Sequence, residues 1–216
     1  MELKNKKIVV VIAHPDDETL GCGGLLSKAS RLGAECKVIL PLKRKNQRKI
    51  NSWEDEINHF HLACNQLGAT PIVLKELIQD NVASVSIQKI STLISEHINW
   101  ADIVICHWKN DVHHAHKAIA NAVELATRPF RNAKTVLCFE VATSTDQGFE
   151  NSFSPNCFVY LEESDMQNKK LAMEFYNSEI FPGRTPDDLE NQMQYRGSQS
   201  GSKYAEAYII ARYFIK

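Results

Sequence analysis

The sequence predicts an α/β fold of the Rossmann-like, three-layer kind, in which a mostly parallel sheet carries helices on both faces. Apolar runs of strand length alternate with segments of helical periodicity for roughly two thirds of the chain. The first run, residues 7–13, is continuous and rich in β-branched residues, which is typical of a parallel strand buried on both faces. Because crossovers between parallel strands are right-handed, this alternation leaves few topologies other than an open sheet.

Five strands and four helices account for the alternation. The strands are predicted at residues 7–13, 36–42, 71–77, 101–108 and 134–143. The helices are predicted at residues 19–32, 52–67, 84–98 and 113–127. Apolar side chains share one face of the first helix, and Gly33 supplies its stop. Gly68 likewise ends the second helix, and Pro129, which cannot continue a helix, ends the fourth.

The periodicity weakens after the fifth strand. Residues 143–155 form a polar loop that is long enough to suggest a functional role. A short strand at residues 157–161 and a helix at residues 165–176 follow, and then a loop with Pro and Gly at residues 181–188. The chain closes with an apolar stretch at residues 208–215, and we find neither a repeat nor a linker.

Length and composition indicate a single globular domain spanning residues 1–216. Charged residues make up 24% and the net charge is −1, which argues against a general nucleic-acid-binding protein. The six cysteines show no C-x-x-C spacing, which indicates free thiols in a reducing compartment. The longest apolar run near the start is too short for a transmembrane segment, so we expect a cytoplasmic protein.

Two polar clusters follow strands one and four. Residues 14–18 read His-Pro-Asp-Asp-Glu, and residues 110–116 read Asn-Asp-Val-His-His-Ala-His. Open α/β sheets bind ligands beyond the carboxyl ends of their strands, at the point where the strand order reverses. In the common 3-2-1-4-5 order the reversal lies between strands one and four, so we expect the two clusters to face each other.

The two clusters predict a divalent-metal site. His14 and Asp17 lie three residues apart across a strand-to-helix turn and can converge on one point. His113 and His116 share one face of the fourth helix, and one of them would complete a set of three ligands. Such nitrogen and oxygen donors suit Zn²⁺, although Fe²⁺, Mn²⁺ or Co²⁺ would also fit. A structural interpretation stays open, because acidic residues also stabilise helix N-termini.

The remaining sequence features near these clusters are interpreted as structural. The glycines of the segment GCGG do not match a dinucleotide-binding G-x-G-x-x-G motif and are expected to let the first helix approach the sheet. Four other histidines have no partner of suitable spacing and are interpreted as structural or surface residues: His59, His61, His97 and His107.

The segment AHPDDETLGCGG resembles the first motif of the PIG-L/LmbE-like family of zinc-dependent N-acetylglucosaminyl deacetylases. The segment NDVHHAH resembles the second motif of that family, and FEVATST, FSPN and YAEAY resemble its later blocks. The resemblance implies that the metal ligands are His14, Asp17 and His116. It further implies that Asp16 is the general base and that His113 faces the substrate carbonyl oxygen, which it would stabilise if protonated.

One position departs from the family pattern. The second motif usually carries an aspartate just before its last histidine, where it can hold the ring of the preceding histidine, whereas this chain has Ala115. We expect either that Asp111 replaces the missing carboxylate or that His113 is less well tuned than usual.

Candidate substrate contacts lie outside the two clusters. A basic loop follows strand two and contains Lys43, Arg44, Lys45, Arg48 and Lys49. Arg44 is our candidate for binding the phosphate of a nucleotide- or lipid-linked sugar, although a solvated loop is an equal alternative. Glu140 is expected to hydrogen-bond sugar hydroxyls, and Arg196 to reach an anionic group.

The leading hypothesis is a zinc-dependent hydrolase of polysaccharide or glycoconjugate biosynthesis. It would remove the acetyl group from an N-acetylated amino sugar or from its nucleotide- or lipid-linked conjugate, with no nucleic-acid partner. The alternatives are an amidase of a thiol-containing amino-sugar conjugate and a non-catalytic sugar-binding descendant. Asp16 argues against the descendant, because a binding protein has no need of a spare base.

Overall fold

The computed structural model describes residues 2–45, 51–149 and 152–215, and these contain one seven-stranded sheet with helices on both faces. The strands are β1 (Lys7–Val11), β2 (Glu35–Lys43), β3 (Thr70–Gln79), β4 (Ile103–His107), β5 (Thr135–Phe139), β6 (Cys157–Leu161) and β7 (Tyr204–Arg212). The helices are α1 (Asp17–Arg31), α2 (Trp53–Gln66), α3 (Ile87–Trp100), α4 (His114–Ala126), α5 (Pro129–Asn132), α6 (Glu163–Glu174) and α7 (Pro186–Ser200). Short 3₁₀ turns cover Asp80–Val85, Thr145–Gln147 and Asn177–Glu179.

The strand order is β3-β2-β1-β4-β5-β7-β6. Strands β1 to β5 run parallel, whereas β7 is antiparallel to both of its neighbours. The order therefore reverses between β1 and β4, and the predicted α/β fold with a mostly parallel sheet is confirmed. In the described part of the chain, no helix combines the length and the apolar character needed to cross a membrane.

Strand β1 belongs to two hydrophobic cores, which explains its continuous apolar sequence. Ile8 and Val10 face the core beneath α1, α2, α6 and α7, while Val9 and Val11 face the core beneath α3 and α4. Successive side chains of a strand point to opposite faces, so a central strand of a three-layer fold must be apolar at every position. This central placement fixes the position of the polar cluster that follows β1.

The sequence analysis predicted neither the short helix α5 nor the longer helix α7. Helix α7 begins at the N-cap Thr185, whose side chain accepts from the backbone N–H of Asp188 while the Asp188 carboxylate accepts from the N–H of Thr185. Gly201 ends the helix with a φ of 82°. Only Leu189 and Met193 give α7 large buried apolar side chains, so its hydrophobic periodicity is weak, although Thr-Pro-Asp-Asp is a recognisable helix start.

Gly21 allows α1 to approach the sheet closely. Substitutions at Gly21 and at Gly23 of the same helix should therefore differ in their effect on the stability of the protein. A Cβ atom at Gly21 would lie 2.2 Å from Cδ2 of Phe139, the last residue of β5. Overpacking of this kind typically costs about 1–3 kcal/mol, so Gly21→Ala should lower the free energy of unfolding by that amount in urea titration. Gly23→Ala is the matched control, because its Cβ would come no closer than 3.1 Å to Cγ of Lys169 and 3.5 Å to Cδ2 of Leu67. Equal effects of the two substitutions would contradict the packing argument.

Candidate active site

A cavity of about 560 Å³ opens at the carboxyl ends of β1 and β4, where the strand order reverses. Residues of both polar clusters form its wall together with residues of later loops: His14, Asp16, Asp17, Arg44, Asp80, Val112, His113, His116, Thr143, Ser144, Gln147, Phe181 and Arg184. The tertiary structure therefore brings the two clusters to one cavity.

The turn between β1 and α1 is built around the carboxylate of Asp17. Its Oδ2 accepts hydrogen bonds from the backbone N–H groups of Ala13 (3.2 Å) and His14 (2.8 Å). Asp16 occupies the N-cap position of α1 with a φ of 110°, and its side chain makes no capping hydrogen bond. Capping of α1 therefore does not account for Asp16, whose side chain lines the cavity instead.

The third acid of the first cluster points away from the cavity. Glu18 is fully buried, and its Oε1 accepts hydrogen bonds from the hydroxyls of Tyr176 (2.7 Å) and Thr19 (2.7 Å). Burial raises the pKa of Glu18 to about 7. Glu18 thus ties α1 to the segment that follows α6.

Three histidine rings and the Asp17 carboxylate converge on the cavity. Nδ1 of His14 lies 3.7 Å from Oδ2 of Asp17, and Nε2 of His116 lies 3.4 Å from Oδ1 of Asp17. The ring centroid of His113 lies 4.9 Å from that of His14 and 4.7 Å from that of His116. One nitrogen from each of these histidines falls within 4.8 Å of the other two.

The chemistry of these donors fits a divalent cation. They are imidazole nitrogens and carboxylate oxygens without a thiolate, which is the donor type of catalytic zinc sites. The cavity leaves room beside them for water and substrate. The structure thus shows a His/Asp cluster suited to a metal ion, and the ligands expected from the sequence, His14, Asp17 and His116, all line it.

His107 contacts Asp17 and His116 on the side away from the cavity. It ends β4, is fully buried, and stacks on His116 with 4.0 Å between ring centroids. Its Nε2 lies 3.1 Å from the backbone nitrogen of Ala13 and 3.2 Å from Oδ2 of Asp17. Asp17, His107 and His116 form a second group close enough to hold an ion, but His107 does not line the cavity. The sequence analysis interpreted His107 as structural and did not anticipate its contact with Asp17. The position of His107 at the end of strand four, beside the predicted site, could have indicated this contact.

Asp17 and His116 hold opposite charges. Burial alone would raise the pKa of Asp17, but the charges of His116 and His107 outweigh it and hold the pKa well below its usual range. Burial would likewise lower the pKa of His116, whereas Asp17 and Asp111 raise it to about 10. Asp17 is therefore ionised at neutral pH, as a metal ligand must be.

The pKa of Asp16 is shifted in the direction opposite to that of Asp17. Burial, followed by the charge of Asp17, raises the pKa of Asp16 well above its usual range, and Arg184 opposes this shift. Nη1 of Arg184 lies 3.3 Å from Oδ2 of Asp16. A carboxyl group with a raised pKa is suited to accepting and returning a proton near neutral pH.

Arg184 is a site residue that the sequence analysis missed. Its Nε donates to the carbonyl oxygen of Ala142 (3.2 Å) and to Oγ1 of Thr143 (2.6 Å), so the guanidinium joins two loops across the cavity. Thr143 has a φ of 64°, and Gly183 beside it has no room for a side chain, because a Cβ there would lie 2.6 Å from Cγ2 of Thr143. An arginine in a loop without periodicity carries no sequence signal of this role.

Asp80 also reaches the cavity without having been anticipated. Its Oδ2 lies 3.5 Å from Nε2 of His14, and this contact lowers the pKa of Asp80 to about 2. The ring of His14 is thereby held between Asp80 and Asp17.

The contacts of the His113 ring favour its neutral form. Its Nδ1 accepts a hydrogen bond from the backbone N–H of Ala115 (3.2 Å), which caps α4 and leaves the ring proton on Nε2. Burial, and then the charges of His116 and His14, lower the pKa of His113 to about 4. Among the described contacts, Asp111 meets the backbone N–H of His113 (2.7 Å) and not its ring, so it does not replace the carboxylate missing at Ala115.

Two of the three expected substrate contacts, Glu140 and Arg196, lie outside this cavity. Glu140 and Arg196 form a bidentate ion pair with each other, with distances of 2.7 and 2.5 Å, and neither is among the described residues that line the cavity. Their polar groups are satisfied within the protein, so this geometry gives no support to a contact with substrate.

Arg44 does line the cavity, but its guanidinium is paired with two carboxylates of the protein. Its Nη1 lies 3.1 Å from Oε1 of Glu179 and 3.8 Å from Oε1 of Glu56. Two other members of the basic loop, Arg48 and Lys49, lie outside the described residues.

Solved structures resemble this chain over nearly its whole length. A conserved protein from Thermus thermophilus superposes with a TM-score of 0.76 at 19% identity, covering 98% of this chain and 97% of its own. The 4-carboxy-2-hydroxymuconate hydratase of Pseudomonas putida superposes with a TM-score of 0.73 at 14% identity, covering 98% of each chain. The N,N'-diacetylchitobiose deacetylase of Pyrococcus horikoshii superposes with a TM-score of 0.70 at 15% identity, covering 97% of this chain and 87% of its own. At such identities the likeness shows a shared fold, which carries different chemistries in these proteins.

The family assignment rests on the sequence itself. No curated protein matches it. The family model described as PIG-L, GlcNAc-PI de-N-acetylase, matches residues 9–127, which is more than half of the chain and includes both polar clusters of the cavity. This chain therefore belongs to the PIG-L family.

Proposed function

We propose that the protein is a metal-dependent hydrolase that removes the acetyl group from an N-acetylated amino sugar or its conjugate. The observation that carries the proposal is that one cavity holds both a cluster of imidazole nitrogens around the ionised Asp17 carboxylate and a separate buried carboxylate, Asp16. Family membership supports it, as does the likeness to a deacetylase of diacetylchitobiose. The cavity of about 560 Å³ is within the range of roughly 300–1,000 Å³ that is usual for small-molecule sites.

The proposed ligands are His14, Asp17 and His116, with Zn²⁺ as the proposed ion. A bound Zn²⁺ supplies a nucleophile at neutral pH by lowering the pKa of water to about 7, and it polarises the amide carbonyl. His14 and Asp17 are held for this task by Asp80 and by the backbone of the β1–α1 turn.

Asp16 accepts the proton of the attacking water and returns it to the departing amine. Its raised pKa strengthens it as a proton acceptor, and Arg184 holds one of its oxygens. His113 acts as a neutral donor, because its Nδ1 is committed to the Ala115 N–H and only Nε2 carries a proton. A donor placed at the developing oxyanion typically contributes about 3–4 kcal/mol.

Acetate release tests the proposal directly. The zinc-loaded protein should release acetate from at least one of three substrates, namely N-acetylglucosamine, diacetylchitobiose or UDP-N-acetylglucosamine, and a chelator should abolish the release. Acetate release that persists unchanged after complete metal removal would contradict the proposal, and so would zinc binding without release from any acetylated sugar.

A further inference from the structure

The proposed reaction gives no role to Asp111, a carboxylate that is fully buried beside the metal ligands. Its Oδ1 lies 3.2 Å from Nδ1 of His116, while Nε2 of His116 lies 3.4 Å from Oδ1 of Asp17. Each ring nitrogen of His116 thus faces a different carboxylate, and only the Asp17 side opens to the cavity.

Asp111 is itself held by three donors. Its Oδ1 accepts hydrogen bonds from the backbone N–H of His113 (2.7 Å) and the hydroxyl of Ser144 (2.6 Å). Its Oδ2 accepts a hydrogen bond from the hydroxyl of Thr145 (2.6 Å). Ser144 and Thr145 belong to the polar loop after β5, so this loop and the end of β4 fix the carboxylate together.

The placement of Asp111 decides which nitrogen of His116 can bind a cation. When a cation displaces one of the two ring protons of His116, a carboxylate at Nδ1 keeps the other proton there and leaves the lone pair on Nε2, which points toward Asp17 and the cavity. Nδ1 of His116 and Oδ1 of Asp111 lie within hydrogen-bond distance, although their alignment falls short of a hydrogen bond.

We propose that Asp111 is a positioning residue for His116, and that Ser144 and Thr145 act on the metal site through Asp111. This differs from the role expected from the sequence, in which Asp111 would hold the ring of His113. The inference rests on the metal site of the proposed function, but not on its reaction or substrate.

Zinc affinity and the tautomer of His116 test the inference without any measurement of activity. Competition with a chromophoric chelator should show that Asp111→Asn binds Zn²⁺ about 10–100-fold more weakly than the wild type, as is typical for the loss of a partner of a metal-bound histidine. Ser144→Ala should bind it about 3–10-fold more weakly, because one hydrogen bond to the Asp111 carboxylate is lost. ¹⁵N NMR of the zinc-loaded wild type should show His116 protonated at Nδ1.

Ser27→Ala provides a matched control. Ser27 and Ser144 are equally exposed, at 5%, and Ser27 donates to Asp165, a carboxylate as completely buried as Asp111. The Ser27 variant should lose comparable stability and keep its zinc affinity, since its carboxylate contacts no metal ligand.

The outcomes separate this inference from the proposed function. Wild-type zinc affinity in Ser144→Ala, or a His116 ring protonated at Nε2 in the zinc-loaded protein, would overturn it even if Asp111→Asn fails to fold. A wild type that binds no zinc would overturn both proposals. Zinc binding that depends on Asp111 and Ser144, without acetate release, would overturn the proposed reaction alone.

Discussion

Asp16→Asn is expected to lower kcat about 10²–10⁴-fold, the usual contribution of general acid–base catalysis, while zinc affinity stays within a few-fold of the wild type. Asparagine keeps the shape of the side chain and tolerates the φ of 110° at this position, so the β1–α1 turn should persist. It removes only the proton acceptor. Steady-state acetate release and chelator competition on the same preparation would measure both quantities.

The pH profile offers a second readout of Asp16. A general base works in its ionised form, so activity is lost as the pH falls through its pKa. Burial raises that pKa, whereas Arg184 and a bound cation lower it, so the test is whether the acidic limb of the wild-type profile disappears in Asp16→Asn.

Asp17→Asn is the matched comparison for Asp16→Asn. The two residues are adjacent and equally buried, at 2% exposure, but Asp17 is the proposed ligand. Asp17→Asn should therefore weaken zinc binding, which Asp16→Asn should not. Turnover of Asp16→Asn within a few-fold of the wild type would remove Asp16 from the mechanism.

His14→Ala and His116→Ala are each expected to weaken zinc binding more than about 100-fold, beyond the 10–100-fold that is typical for residues that only support a ligand. Both side chains offer nitrogen atoms to the cavity beside Asp17, and loss of either leaves two of three proposed ligands. Chelator competition and elemental analysis of the purified variants would measure the effect.

Two further histidine variants make this experiment decisive. His61→Ala should bind zinc normally, because His61 is exposed on α2 away from the cavity. His107→Asn should lose less affinity than His14→Ala, because His107 contacts Asp17 from outside the cavity. The reverse order would show that the ion sits in the second group, formed by Asp17, His107 and His116.

Most of the fold could be predicted from local sequence because its elements have strong periodicity. β1 is apolar from Ile8 to Val11 and is flanked by two cores, so its burial can be predicted from its residues. α7 was missed because it presents few apolar side chains to the core, so its start depends on the capping of Thr185 and not on hydrophobic periodicity. The antiparallel course of β7 depends on pairing with β5 and β6, which no local pattern reveals.

The candidate site likewise contains residues that could be predicted from the sequence and residues that could not. His14, Asp16 and Asp17 could be singled out because consecutive polar residues at the end of a buried strand are unusual, and the second cluster follows the same logic. Arg184 could not, because it reaches Asp16 from a loop 168 positions away in sequence. The substrate roles expected for Glu140 and Arg196 rested on position alone, and the structure pairs these two residues with each other.

The sequence by itself determined the α/β fold, the reversal of strand order between β1 and β4, and the meeting of two polar clusters there. These features follow from hydrophobic periodicity and from the general geometry of parallel sheets, and both can be inferred from the order of residues in the sequence. Only the tertiary structure decided the charge states and orientations within the site. The pKa of Asp16 depends on burial and on Arg184, the proton of His113 depends on the Ala115 N–H, and the ring of His116 lies between Asp111 and Asp17. Electrostatic and hydrogen-bond energies depend on the distance between groups and on their burial. Spacing in the sequence gives neither quantity, so these properties could be found only in the tertiary structure.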